Sequence, residues 1–418
     1  MEKILLLSLF FLILSCNQQA NSDVSKPKSK KDKKQIAVIA KPVFKSDLML
    51  SKQMAKKQNM FGFQLLKKMI DSKQQDNVLI SPPSIAFALG MCYNGAAGST
   101  RQAIARAISL TGMKKRQVNR GNLSLKNCLE KANDKIELKI ANSLWMKAGI
   151  NYKAKFIRQT KKFYQAQLST LDFNSPKAKD AINQWVSAKT NKKITKIVDS
   201  IPKDAILYLL NAVYFKGQWK TYFEKERSYK TDFKLLNGKT KKQAMMSQSG
   251  SYQYLSTPEF QAINLPYGGS DVSMYIFLPS NFKSFLHNLS ESNWNKWLKK
   301  FKEKEGEIGI PKFKLEYESF LTPLLADMGM EEAFSKQADF SNIRSIPPAI
   351  FIKEIKHKSY MEVNEKGTEA AAVTSVGFGI EAVQEKFEFF VESPFFFAIR
   401  DNITGSVLFL GIVTNPSQ

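Results

Sequence analysis

The chain carries few residues suited to acid–base chemistry. Only two of its 418 residues are histidines, His287 and His357, and no HExxH, GxSxG or paired CxxC spacing occurs. His287 lies in the polar run SFLHNLSESNWNKWLKKFK and is expected at the surface. His357, in KEIKHKSYMEV, could in principle activate a serine. A single histidine beside a strand more commonly makes structural hydrogen bonds, and that role is expected here. Residues Gly377 to Ala382, GFGIEA, fit the loose dinucleotide pattern GxGxxA. That pattern binds phosphate only between a strand and a helix, whereas FEFFVESPFFF follows as a further strand, so the match is coincidental. Beyond Cys16, only Cys92 and Cys128 remain, too few for a disulfide framework. Cys92, in SIAFALGMCY, is expected to be a buried free thiol. No catalytic, metal or cofactor site is expected.

The elements around these residues point to one large α+β body. SPPSIAFALGMCY opens with Ser84 as a candidate helix cap and continues as an apolar helix to Tyr93, which implies burial on every side. Gly95 and Gly98 break it before a second helix from about Ser99 to Leu110. LKIANSLWMKAG and ILYLLNAVYFKGQW read as strands. Between them, Ala178, Ile182, Trp185 and Val186 recur at helical spacing behind a Ser175–Pro176 start. Strand signals crowd the second half, interrupted only by SFLHNLSESNWNKWLKKFK and TPLLADMGM. Nothing repeats, and there is no βαβ alternation, which favours antiparallel or mixed sheets.

Composition is ordinary for a globular protein, 43% hydrophobic and 24% charged. The first fifteen residues differ: Lys3 precedes an apolar stretch from Ile4 to Leu14, too short to span a bilayer and placed where a signal h-region belongs. LILSC resembles a bacterial lipobox, with Cys16 as the lipidated residue; the alternative is a signal peptide cleaved without lipidation. Either route exports the protein to the cell envelope or the exterior. Residues 16–45 are polar and lysine-rich and read as a disordered tether. Net charge is +26, about +20 of it on the body from residue 46 to 418. A basic surface could attract a polyanion weakly, but no nucleic-acid motif accompanies it.

The run NEKGTEAAAVTSVGFGIEAVQEKFEFF is too small-sided for a core and too apolar for a linker. With NVLISPPSIAFALGMCYNGAAGST, AINQWVSAKTNKKI, LNAVYFKGQW and SPFFFAIRDNITGSVLFLGIVTNP, it gives the chain a resemblance to the serpins over almost the whole body. Glu392 departs from the pattern, since the family usually has Asp or Asn there. The resemblance implies three β-sheets, about eight or nine helices, and an exposed reactive loop at about 365–390. It also implies a suicide-substrate inhibitor of serine, and possibly cysteine, proteases. A target protease cleaves the loop and is trapped as a covalent acyl complex while the loop inserts into the main sheet. The resemblance further implies a shutter of Ser81, Ser84, Asn211 and His357, and a breach of Trp219, Lys312 and Glu365 in which Lys312 pairs with Glu365.

The loop's own residues suit that passage. A strand threading between two others must lead with small side chains and no proline. Glu365, Gly367, Thr368, Ala370, Ala371 and Ala372 form such a hinge, and Gly367 permits the bend. Counting forward from the hinge places the scissile bond between Glu381 and Ala382; counting back from Pro394 gives Val383 and Gln384. Glu381 would suit a Glu-preferring protease, Ile380, Ala382 or Val383 an elastase-like or subtilisin-like one, and Phe378 a chymotrypsin-like one. The alternative is a monomeric, non-inhibitory scaffold that binds a partner or polyanion through its basic surface.

Overall fold

The computed structural model describes residues 45–72, 76–130, 135–201, 205–344, 350–368 and 386–417. In chain order the first half runs α1 (Lys45–Asp71), β1 (Val78–Ile80), α2 (Pro82–Gly95), α3 (Gly98–Ala107), α4 (Lys115–Leu129), β2 (Ile136–Lys147), α5 (Ala154–Tyr164), β3 (Gln167–Leu171), α6 (Pro176–Lys189) and β4 (Leu207–Gln218). The second half is strand-rich: β5 (Tyr229–Lys234), β6 (Thr240–Ser256), β7 (Phe260–Tyr267), β8 (Val272–Pro279), α7 (Phe282–Asn288), α8 (Glu291–Leu298), β9 (Lys302–Pro311), β10 (Phe313–Phe320), α9 (Thr322–Leu325), β11 (Ile355–Val363), β12 (Gly367–Thr368), β13 (Phe387–Phe390), β14 (Phe395–Asp401) and β15 (Val407–Val413).

The strands form three sets within two hydrogen-bonded networks. One sheet has the order β10-β11-β4-β2-β3, with β12 paired to β4. The other runs β1-β15-β14-β8-β7-β6-β9-β13, with β5 also on β6. Its two halves share β6: Met245–Tyr254 pairs with β9, and Gln253–Ser256 pairs with β7. A 17-residue strand is long enough to leave one partner for another, so two sheets become one continuous network.

α2 lies between the sheets and is buried at every position, as its nearly all-apolar sequence requires. It begins at Pro82 with Ser81 in the capping position, so the expectation of Ser84 as cap is corrected. Two prolines at the start supply preset φ and need no N–H partner, and Ser84 is freed to point at the sheet. Over the other face of the first sheet, α6 closes a second core around Ile182, Val186, Ile194, Val198, Leu210 and Tyr360.

Candidate functional site

Among the described residues, β4 and β11 meet through a parallel ladder, from Leu209↔Ile355 to Tyr214↔Tyr360. Their outer neighbours pair antiparallel, β2 with β4 and β10 with β11. Parallel pairing is slightly weaker per residue; the other parallel pair of this sheet, β2 with β3, lies at the edge, so this joint is the weak seam among the central strands. Above Tyr360 it stops: β11 continues to Val363 against β10 alone.

Into the open top folds the hinge. Asn364 and Gly367 exchange backbone hydrogen bonds at 2.9 and 3.0 Å across a tight turn at Glu365–Lys366. The chain thus reverses, and Gly367 and Thr368 pair antiparallel with Gln218 and Gly217 of β4. Gly367 has φ of +123°, and a Cβ there would lie 2.2 Å from Gly217 O, so only glycine fits. Loop positions Ala370, Ala371, Ala372, Ile380, Glu381, Ala382, Val383 and Gln384, the GFGIEA match, and Cys16 lie outside the described residues.

Three residues hold the turn from below. Trp219 donates its indole N–H to Asn364 O at 3.0 Å and stacks on Tyr267 with centroids 4.3 Å apart. Lys312 Nζ lies 2.7 Å from Glu365 Oε1, which also accepts from Ser228 Oγ at 2.9 Å. Burial pulls the Glu365 carboxyl up, but hydrogen bonds from Lys312, its own backbone and Ser228 outweigh that and leave it below the usual glutamate value.

The closed seam is fastened lower down. Asn142, Asn211 and His357 stand side by side on β2, β4 and β11. The Ser81 N–H donates to His357 Nε2 at 3.3 Å, so Nδ1 carries the proton and donates to Asn211 Oδ1 at 2.7 Å. Asn211 Nδ2 lies within reach of Ser84 Oγ, Ser84 O and Asn142 Oδ1, at 2.5, 3.1 and 2.7 Å. The row ties both sides of the seam to α2.

His357 is fully buried, and desolvation lowers its pKa to about 3. It is therefore neutral and has no serine hydroxyl on its base nitrogen; its place is structural. His287 is exposed on α7. Cys92 is a buried free thiol pushed up to about 12 by desolvation, which makes it inert.

A pH dependence follows. The unfolded chain takes up a proton on this histidine below its ordinary value of about 6.5, whereas the folded chain does so only near 3. Stability should fall as pH drops through that window, by up to about 1.4 kcal/mol per pH unit from this group. Urea midpoints between pH 7 and pH 5 should decline more steeply for the wild type than for His357→Gln; equal slopes would contradict it.

Asn142, Ser228 and Tyr267 were not singled out by the sequence reading. Only Asn142 leaves a trace there, a polar residue inside the apolar run IANSLWM; Tyr267 is brought in by β7, and Ser228 by the turn that precedes β5.

Among the described residues, a parallel seam is fastened below and entered by the hinge above. A family model described as serpin (serine protease inhibitor) matches residues 56–416. The chain belongs to the serpin family. An uncharacterized serpin-like protein of Methanosarcina acetivorans is 34% identical over 404 residues, 92% of each chain. The leukocyte elastase inhibitor of Bos taurus is 32% identical over 371 residues, covering 85% of this chain and 97% of that one. Among solved structures, thyroxine-binding globulin in complex with thyroxine superposes with a TM-score of 0.80 at 26% identity, over 88% of this chain and all of the other. In this serpin Glu392, the departure from the family pattern, accepts from the Lys234 N–H through its carbonyl and from Thr231 Oγ1 through its carboxylate, at 2.8 and 3.1 Å.

Proposed function

We propose that this serpin is a suicide-substrate inhibitor of serine proteases, carried outside the cytoplasm on an exported and lipid-anchored N-terminus. The observation that supports the inhibitory reading is β12. It is a two-residue strand already antiparallel to β4 at the mouth of a parallel seam, hence oriented to pair antiparallel with both β4 and β11 if it extends. Opening the seam sacrifices one parallel ladder, and full insertion forms two antiparallel ones. At about 0.5–1.5 kcal/mol per net hydrogen bond, a gain of about a dozen bonds is on the order of 10 kcal/mol, enough to make insertion irreversible in practice. About fifteen inserted residues at ~3.3 Å each carry a tethered acyl-enzyme on the order of 50 Å. Serpin loop insertion is an established case of strand addition.

The scissile bond is Glu381–Ala382 by hinge count or Val383–Gln384 by count from Pro394. Incubation with elastase, subtilisin, chymotrypsin and a Glu-specific protease should yield an SDS-stable covalent complex with at least one, and mass spectrometry of the released peptide would identify the bond. Absence of any complex, together with loop cleavage that leaves the melting temperature unchanged, would instead mark a binding scaffold, the role that thyroxine-binding globulin illustrates within the fold.

A further inference from the structure

A cavity of about 780 Å³ lies beside the first half of β2. β3 covers β2 only from Ser143 to Lys147. Upstream of Ser143 the edge of β2 has no neighbouring strand on that side among the described residues and faces the cavity. Ile140 directs its N–H there, where Glu130 Oε1 of the α4 end accepts it at 3.0 Å. By the two-residue alternation of an antiparallel ladder, Ile136 and Leu138 present their backbone amide and carbonyl the same way. A bare edge of this kind is a template for another strand.

The charge of the lining points to an occupant. Charge is unbalanced: five lysines line the cavity against Glu130 and Glu137. Lys126 pairs with Glu130, and Lys139 with Glu137, while Lys189 and Lys216 face it with no carboxylate partner among the described residues.

We propose that the open edge of β2 from Ile136 to Asn142 is a docking site for an extended peptide bearing carboxylates. The peptide backbone pairs with Ile136 and Leu138 and prolongs the line of β3, while its acidic side chains meet Lys189 and Lys216. A small anion would answer the lysines but not a row of alternating donors and acceptors, and an apolar peptide would do the reverse. Asn142 also accepts from Asn211 at 2.7 Å, so a strand docked here braces β2 against the same residue that fastens the seam.

The test uses the full chain and an eight-residue peptide alternating Val with Thr or Glu and carrying a photo-crosslinker. Its controls are the same peptide with Lys for Glu, and the acidic peptide N-methylated at alternate amides. Crosslinks to residues 136–142, with affinity reduced about tenfold by Lys189→Glu with Lys216→Glu and abolished by either control peptide, are expected. Both lysines are at least partly exposed, so the variant should fold, which its unfolding curve would verify. Crosslinks confined to β4 and β11 would mean that the peptide enters the seam and would overturn the proposal. Absence of binding, or binding indifferent to charge or to N-methylation, would overturn it as well.

Discussion

Under the proposed inhibitory function, Gly367→Ala should turn this serpin from an inhibitor into a substrate. The added methyl would sit 2.2 Å from Gly217 O and 2.7 Å from Trp219 N, both backbone atoms with no room to move, at a φ of +123° that side chains avoid. Strain of about 1–3 kcal/mol is of the size that expels a two-residue strand. With β12 out of the seam, the loop must find the opening after cleavage rather than before it. Hydrolysis of the acyl-enzyme then outruns insertion. With a protease that complexes the wild type, the expected result is continued loop cleavage and a covalent yield reduced from the main product to a minor one. A yield equal to wild type would show that the hinge contact does not start insertion. Thr368→Arg, which puts bulk at the leading end of the inserting strand, should act the same way.

Asn211→Ala is expected to be the most destabilising change in the sheet. One amide serves β2, β11 and α2, through Asn142, His357 and both the hydroxyl and carbonyl of Ser84. Its loss orphans the His357 Nδ1–H and the Asn142 carbonyl in sites less than 4% exposed, at about 1–3 kcal/mol for each group left unpaired. The loss falls on the closed seam, because insertion separates β4 from β11 in any case. A melting temperature lower by several degrees, with faster spontaneous loss of inhibitory activity on warming, is the outcome to measure by calorimetry and timed protease assay. Retained melting temperature would mean that the row is not what fastens the strands.

Much of the fold was legible because its signals are local. The apolar run of α2, the Ser175–Pro176 start of α6, and the strand composition of β2, β4, β14 and β15 each declare themselves within a dozen residues. Ser84 was read as a cap because sequence shows a serine after a turn. The structure gives it a partner more than a hundred residues away, and the two prolines before it make a cap unnecessary. Tyr267 under Trp219 and Ser228 beside Glu365 have no sequence signature, since one is delivered by β7 and the other by the turn before β5. The junction of two sheets through β6 depends on how far one strand twists, which composition does not encode.

By itself, the sequence determined that a small-sided, proline-free segment follows Gly367, that neither histidine stands in an HExxH spacing and no GxSxG occurs, and that the chain resembles a serpin. Side-chain size and backbone freedom are properties of single residues, so they can be read one at a time. Only the tertiary structure decided that β4 and β11 meet in parallel, that the seam ends at Tyr360, and that the hinge has already turned into it. Those facts concern which strands become neighbours, and neighbours far apart in sequence are chosen by the packing of the whole sheet.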